Sequence, residues 1–513
     1  MINDLKRELN KELITTENGA LGFRTSGKEL LDLHFKTSSL RNATNEQICK
    51  LFVKAYYEDK LTALKWLFYL RDVRGGLGER RSFRVIFEYL AYNETEIAKR
   101  LIDLVPEYGR WDDLFILINT PLEQIMLQHC YVQFINDIDN VSKGKSISLL
   151  AKYLPSPYYA KYKKKAIKYN SEELYKKYEQ KKNFCSKFMT EFHLNRKSYA
   201  KTLSGLREYL NVVEKQMSAN EWDKINYSIV PSKANLIYDQ AFITHDTDRR
   251  LEFLALLKSG KAKINSKTLF PYEIVDKYGR DNYNETYEQL WKHLPNYVNG
   301  ESNTLVVADG SGSMYMYIGI SNNSVMAIDV ANSLAIYFAE RCDGEYKDKY
   351  ITFSSRPQLV DLSKGKSLKE KLDICYKYSE VANTNIKAVF ELVLKVAIKN
   401  KYTQEQIPNI LVISDMEFDD GARYNKALFE EIKDEFAEYG YNLPRLVFWN
   451  TCGRTNAIPL TQNDLGVILL SGFSPAVVNM ALTGDLDPYK ALLKVLNSDR
   501  YKAIETALFG INL

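Results

Sequence analysis

Hydrophobic and polar positions follow two different rhythms along this chain, and the change falls near residue 300. Before it, apolar residues recur at helical spacing, as in "TNEQICKLFVKAYYEDKLTALKWLFYLRDV" (44–73). Recurrence at i, i+3 and i+4 predicts amphipathic helices. Thr44 followed by Gln47 writes a capping box at the first of them. "ERRSFRVIFEYLAY" (79–92), "RWDDLFILI" (110–118) and "PLEQIMLQHCYVQFIND" (121–137) continue the pattern between short polar breaks. Residues 25–300 therefore predict helix after helix, stacked in pairs as a solenoid or a ring. No fixed-period repeat underlies this expectation, which rests on helix density.

Beyond residue 300 short β-rich apolar runs alternate with amphipathic stretches. Strands are predicted at 304–309, 350–355, 409–415, 445–450 and 466–472. Helices are predicted at 324–341, 367–378, 386–400 and 425–440. Strict alternation predicts an open parallel sheet with helices on both faces, a doubly wound, Rossmann-like α/β domain. The expected architecture is multidomain: an N-terminal all-α, HEAT-like helical-repeat module at 1–300 and the α/β domain at 301–513.

Length and charge sharpen this division. A chain of 513 residues is too long for one core. Lys and Arg outnumber Asp and Glu by 48 to 38 in residues 1–300, and fall behind by 22 to 27 in residues 301–513. A basic front and an acidic back imply different partners, the front facing a polyanion. No apolar run nears the roughly 20 residues of a membrane span. The polar start "MINDLKRELNKEL" lacks a secretory core, so a cytoplasmic protein away from membranes is expected. The six cysteines form no CxxC pair and read as reduced core thiols, without disulfides or zinc.

Candidate chemistry concentrates in "VVADGSGSMY" (307–316). An apolar strand ends at Asp309, and Ser311 and Ser313 follow, spaced by Gly310 and Gly312. "NILVISDMEFDDG" (409–421) places Asp415 after another apolar strand, and "VANTNIKAVF" (381–390) places Thr384 in a loop that opens a helix. If the two strands are central neighbours, Asp309, Ser311, Ser313, Thr384 and Asp415 meet at one end of the sheet. Two carboxylates and three hydroxyls suit Mg²⁺ or Mn²⁺ and do not suit zinc. The competing motifs fit poorly. A phosphate-transferring aspartate wants a second aspartate at 311, a nucleophile elbow needs G-x-S-x-G, and a phosphate loop needs a lysine after its last glycine. The plainer alternative is a Gly/Ser turn closing a strand.

This pattern resembles the metal-ion-dependent adhesion site (MIDAS) of von Willebrand factor A domains, over roughly 210 residues. The resemblance implies that Ser311, Ser313 and Thr384 contact the ion closely and that the aspartates often act through water. It also implies one open coordination position, filled by an acidic residue of a protein ligand. Gly310 departs from the commoner pattern and loosens the loop.

Residues 141–203 thread tyrosines between lysines. They read either as a solvated helical face with lysine stems over rings, or as an RNA surface with cations for phosphates and rings for bases. On the second reading Lys161, Lys163, Lys164, Lys165, Arg196 and Lys197 are the candidates, joined by Arg80 and Arg81 at the start of a helix. For the "RDVRGGLGERR" turn (71–81), a helix C-cap and turn is favoured over phosphate contact, because no strand precedes it. "HDTDRR" (245–250) reads as a helix start rather than a metal cluster, and so does Trp111 with Asp112 and Asp113.

The stretches 59–90 and 105–117 resemble the TROVE helical module of the Ro autoantigen proteins, and 198–234 fits a largely uncharacterised family that shares the layout of this chain. The whole layout, helices first and an A domain last, resembles that family, with "DPYKALLKVLNSDRY" (487–501) matching near the end. The resemblance implies a ribonucleoprotein role, with small structured or misfolded RNA as ligand and no DNA. The expectation is a non-catalytic scaffold that binds RNA and, through its metal, a protein. A protein–protein adaptor without RNA and a Mg-dependent hydrolase are the alternatives.

Overall fold

The two rhythms become two kinds of structure. The computed structural model describes residues 13–168, 172–279, 283–298, 303–319, 324–352, 356–378, 385–419, 428–454, 458, 467–474 and 487–511. The N-terminal region is largely helical, and the C-terminal region builds a mixed six-stranded sheet. Compactness groups the chain differently from element type. One unit comprises Met1–Gly78, Pro231–Asp239 and Glu252–Tyr501, and the other Glu79–Val230, Gln240–Leu251 and Lys502–Leu513.

In the first unit, β1 (Leu13–Thr15) and β2 (Leu21–Phe23) form an antiparallel hairpin. The large sheet is built from β3 (Thr304–Ala308), β6 (Lys349–Thr352), β7 (Gln358–Asp361), β8 (Asn409–Ser414), β9 (Leu446–Asn450) and β10 (Val467–Ser471). Two short strands, β4 (Tyr317–Ile318) and β5 (Val325–Met326), pair apart from it. The sheet order is β10-β9-β8-β3-β6-β7. Renumbered along the sheet-forming chain this is 3-2-1-4-5-6 read from the β7 edge, the order of doubly wound folds. Its direction of progression reverses between β3 and β8.

Five of the six strands fall within a few residues of the predicted runs, and all five are parallel. β7 corrects the all-parallel expectation, since it runs antiparallel to β6 at the edge. Its sequence, QLVD, is four residues long and alternates, with Leu359 exposed and Val360 buried. An edge strand buries one face only, so it lacks the continuous apolar run that marks the central strands.

The N-terminal segment packs on the carboxyl ends of β9 and β10 within this unit. The Ser38 N–H donates to Ser471 Oγ (2.9 Å), and its hydroxyl donates to the Asn450 carbonyl (2.9 Å). Asn450 Nδ2 donates in return to the Phe35 carbonyl (3.0 Å). The helix Lys60–Arg71 is buried at all ten positions from 62 to 71. It is apolar nearly all round, as an interior helix must be. Its end matches the turn reading of "RDVRGGLGERR". The Leu77 N–H returns to the Tyr69 carbonyl (3.1 Å), and a Cβ on Gly76 would lie 2.0 Å from that same oxygen. The Thr44–Gln47 capping box is formed as expected.

The second unit is helical. Glu123–Ser142, Glu172–Glu191 and Arg196–Tyr209 bury aromatic rings against one another, among them Phe134, Phe184, Phe188 and Tyr199. The acidic pair Asp112 and Asp113 is tied to Arg84 (3.0 and 2.7 Å). Asp246 accepts from the Tyr227 hydroxyl and from Arg249 (2.8 Å each), while His245 stacks on Trp222. Both clusters hold helix ends, as their sequences imply.

Asp72, fully buried in the first unit, accepts from Arg500 and from the Tyr501 hydroxyl (3.1 Å). Removing one partner of such a pair strands the other. Asp72→Ala is expected to cost about 3 kcal/mol of unfolding free energy, measured as a lower urea midpoint at unchanged slope.

Candidate metal centre

Parallel pairing of β3 with β8 sets the site. Ala308 lies opposite Ile413, and the ladder extends one residue further as the Asp309 N–H donates to the Ile413 carbonyl (2.9 Å). Asp309 and Asp415 thus leave neighbouring strands at the reversal point, outside their carboxyl ends, where doubly wound sheets bind ligands.

Both carboxylates are buried, Asp309 at 1% and Asp415 at 0% exposure. Asp309 Oδ2 accepts from the Ser414 hydroxyl (2.7 Å), and Oδ1 accepts from the Ser311 N–H (2.9 Å). The Ser311 and Ser313 hydroxyls lie 2.9 Å apart. Ser414 Oγ also accepts the Met416 N–H (3.0 Å), so one hydroxyl ties the two strand ends together. Met416 has a φ of +64°, an uncommon conformation for a side chain with a Cβ, and it turns the chain directly after Asp415. Asp415 Oδ1 accepts the Glu417 N–H (3.2 Å). Oδ2 is buried without a hydrogen-bond partner among the described residues, and Arg454 Nη2 lies 3.6 Å from it.

Burial, and next the neighbouring Asp309 charge, push the Asp415 carboxyl up to about 7. Burial likewise raises Asp309, against the opposing hydrogen bonds from Ser414 and Ser311. Two carboxylates that repel each other in a dry site call for a cation or a proton. The orphaned Oδ2, the paired hydroxyls and the all-oxygen donor set fit a hard divalent ion such as Mg²⁺. Among the described residues no three His, Cys, Asp or Glu side chains gather to hold an ion. The donors here are two carboxylates plus serine hydroxyls.

Four of the five sequence-predicted ligands therefore converge. The fifth, Thr384, lies outside the described residues. The cations proposed for RNA are dispersed in the second unit. Lys163 and Lys164 are exposed on the helix Ala160–Lys168, with Lys163 5.9 Å from the Tyr178 ring centre. The side chains of Lys161 and Lys165 lie outside the described set. Arg196 spans the Tyr158 ring (5.0 Å) and donates to the Pro157 carbonyl (3.0 Å), and Lys197 is exposed beside it. Arg80 is exposed and Arg81 half-buried at the start of their helix.

Three neighbours of the site escape the motif: Ser414, Arg454 and Glu417. The Glu417 carboxylate accepts the Arg454 N–H (2.6 Å) and the Glu17 N–H (2.9 Å). Asn18-Gly19 between short apolar runs is a hairpin signal that could have announced the N-terminal element bringing Glu17 here.

Family comparison carries no activity with it. The model described as Domain of unknown function (DUF2828) matches residues 16–114 and 130–307, and that described as Domain of unknown function (DUF7788) matches residues 303–503. Neither description names a von Willebrand factor A or TROVE domain. An uncharacterized protein of Acanthamoeba polyphaga mimivirus is 29% identical over 524 residues, spanning 94% of this chain and 86% of the relative.

The pH dependence of stability follows from Asp415. Its folded value stands above the ordinary 3.8, so the folded chain keeps a proton that the unfolded chain has released. The associated stability is full below about pH 4 and is lost as pH rises through about 7, by about 1.4 kcal/mol per pH unit. Urea melts in EDTA are expected to show wild type losing more stability between pH 5 and pH 8 than Asp415→Asn.

Proposed function

The chain belongs to the family described as Domain of unknown function (DUF2828), and on that footing we propose that it is a two-part, non-catalytic binding protein. In this reading its sheet domain is von Willebrand factor A-like, and Asp309, Ser311, Ser313 and Asp415 would hold one Mg²⁺ or Mn²⁺; Thr384, the fifth expected ligand, lies outside the described residues. The partner of such an ion would be an acidic residue of a protein ligand. The observation that carries this reading is the pair of buried carboxylates at the strand-order reversal, one oxygen of which lacks a hydrogen-bond partner among the described residues. The bound ion would supply Lewis acidity toward the partner's carboxylate. The chain's own residues orient it and keep water from the Asp309 side. No bond-breaking step is assigned to the site.

Calorimetric titration of the EDTA-treated chain with MnCl₂ is expected to give one site, weakened at least roughly tenfold in Asp415→Asn and in Ser313→Ala. Absence of Mn²⁺ binding to wild type overturns the reading. Mg²⁺-dependent phosphatase or nuclease turnover that Asp309→Ala abolishes would replace it with the hydrolase.

The helical region, HEAT-like in this reading, is assigned to small structured RNA. Its support is the exposed cations Lys163, Lys164 and Lys197 and the exposed rings of Tyr158 and Tyr175 in the same helical unit, with Arg196 over the Tyr158 ring. Anisotropy of a labelled RNA hairpin should fall steeply between about 50 and 200 mM salt, with a shallower slope in the double variant Lys163→Glu, Lys164→Glu. No retention at the lower salt leaves the adaptor reading.

A further inference from the structure

Asp415 already has a cation beside it. Arg454 Nη2 stands 3.6 Å from Asp415 Oδ2 and 2.8 Å from Glu17 Oε2, so one guanidinium nitrogen is shared between two carboxylates. The tighter contact is with Glu17. The looser one leaves the Asp415 oxygen buried and without a hydrogen bond among the described residues.

The backbone of each residue is anchored. The Arg454 N–H is held by Glu417 Oε1 (2.6 Å) and the Glu17 N–H by Glu417 Oε2 (2.9 Å). Asn18 Nδ2 donates to the Glu417 carbonyl and Thr16 Oγ1 to the Phe418 carbonyl, 2.6 Å each. Gly19 bridges Asp419 in antiparallel fashion. The turn between β1 and β2 is thereby moored on the residues that follow Asp415, and it carries the Glu17 carboxylate to the rim of the site.

We propose that Arg454 is a built-in competitor of the divalent ion for Asp415, and that Glu17 sets the strength of this competition by drawing the guanidinium aside. The proposal rests on the metal reading above. A divalent ion on Asp415 Oδ2 sits within a few ångströms of the guanidinium and is repelled by it. Ion entry is eased when Arg454 can retire onto Glu17. Without Glu17 the guanidinium loses its tighter carboxylate contact and bears more fully on Asp415, and the ion must displace it. Without Arg454 the two aspartates face the ion unopposed. Arginine serves this role because it never loses its charge and its planar fork spans two carboxylates. The N-terminal hairpin thus regulates the metal centre through one charge pair.

The test uses the full chain, MnCl₂ as the probe, and calorimetry with thermal melts in EDTA and in Mn²⁺. Arg454→Gln is expected to bind Mn²⁺ about tenfold tighter than wild type, a gain of about 1.4 kcal/mol, and Glu17→Gln about tenfold weaker. Arg454→Lys keeps the charge but shortens the reach and falls between Arg454→Gln and wild type. The metal-free Arg454→Gln chain melts lower than wild type, yet its Mn²⁺-induced rise in Tm is larger. A purely structural Arg454 would lower both melts alike. Normal Mn²⁺ binding by wild type with unchanged affinity in Arg454→Gln and Glu17→Gln overturns the competition and leaves the metal site standing. No Mn²⁺ binding in any variant overturns both. Should Arg454→Gln not fold, Glu17→Gln decides alone: weakened binding supports the proposal and unchanged binding overturns it.

Discussion

The register of β3 against β8 is the constraint on which the site depends. Ala308 pairs with Ile413, and Asp309 and Asp415 follow at adjacent strand ends. A slip of one residue would turn every side chain of a strand to the opposite face. Both strands are buried along nearly their whole length, so a slip must trade apolar contacts on both faces at once. The two carboxylates are brought together by the packing of Leu305, Val307, Ile410 and Val412, residues with no chemistry of their own. Electrostatically the arrangement is unfavourable in the absence of a counter-charge, and the sheet imposes it regardless.

What surrounds the carboxylates divides the work of holding them. Ser414 bridges the strand ends and leaves Asp309 with both oxygens engaged. Among the described residues Asp415 Oδ1 accepts the Glu417 N–H, while Oδ2 meets Arg454 at 3.6 Å. The two acids are therefore unequal. Asp309 is fixed as part of the scaffold, while Asp415 presents the oxygen whose needs are unmet. Polar groups buried without partners are rare because they are costly, and one beside a like charge marks a place prepared for something else.

Much of the fold was legible in the sequence because central parallel strands and amphipathic helices announce themselves through the periodicity of burial. The runs that became β3, β8, β9 and β10 are continuous apolar stretches, and the Thr44–Gln47 box names its helix start outright. β7 was not legible, since a four-residue edge strand with one buried face leaves almost no pattern. Asp309, Ser311, Ser313 and Asp415 were readable because a local motif and a strand end each carry their own signal. Arg454 and Glu417 were not. Their roles come from loops that meet only after the sheet has closed, and no spacing in the chain encodes that encounter. The cationic candidates of residues 161–197 show the converse case. Composition revealed their abundance, while the individual geometry of Arg196, with its ring and carbonyl contacts, depends on packing.

The mooring of the N-terminal hairpin on the loop after β8 joins positions 400 residues apart. During synthesis at roughly 5–20 residues per second, β1 and β2 leave the ribosome on the order of 20–80 s before Glu417 exists. The hairpin must wait unpaired for that interval, as an isolated two-stranded ribbon with little stability of its own. The rim of the paired Asp309 and Asp415 carboxylates is accordingly among the last parts of the protein to take shape. A nascent chain stalled before residue 417 would already possess the helical unit apart from Lys502–Leu513, and the Asp309 loop, yet no finished site. Completion of the rim thus reports that translation has passed well into the sheet-forming half.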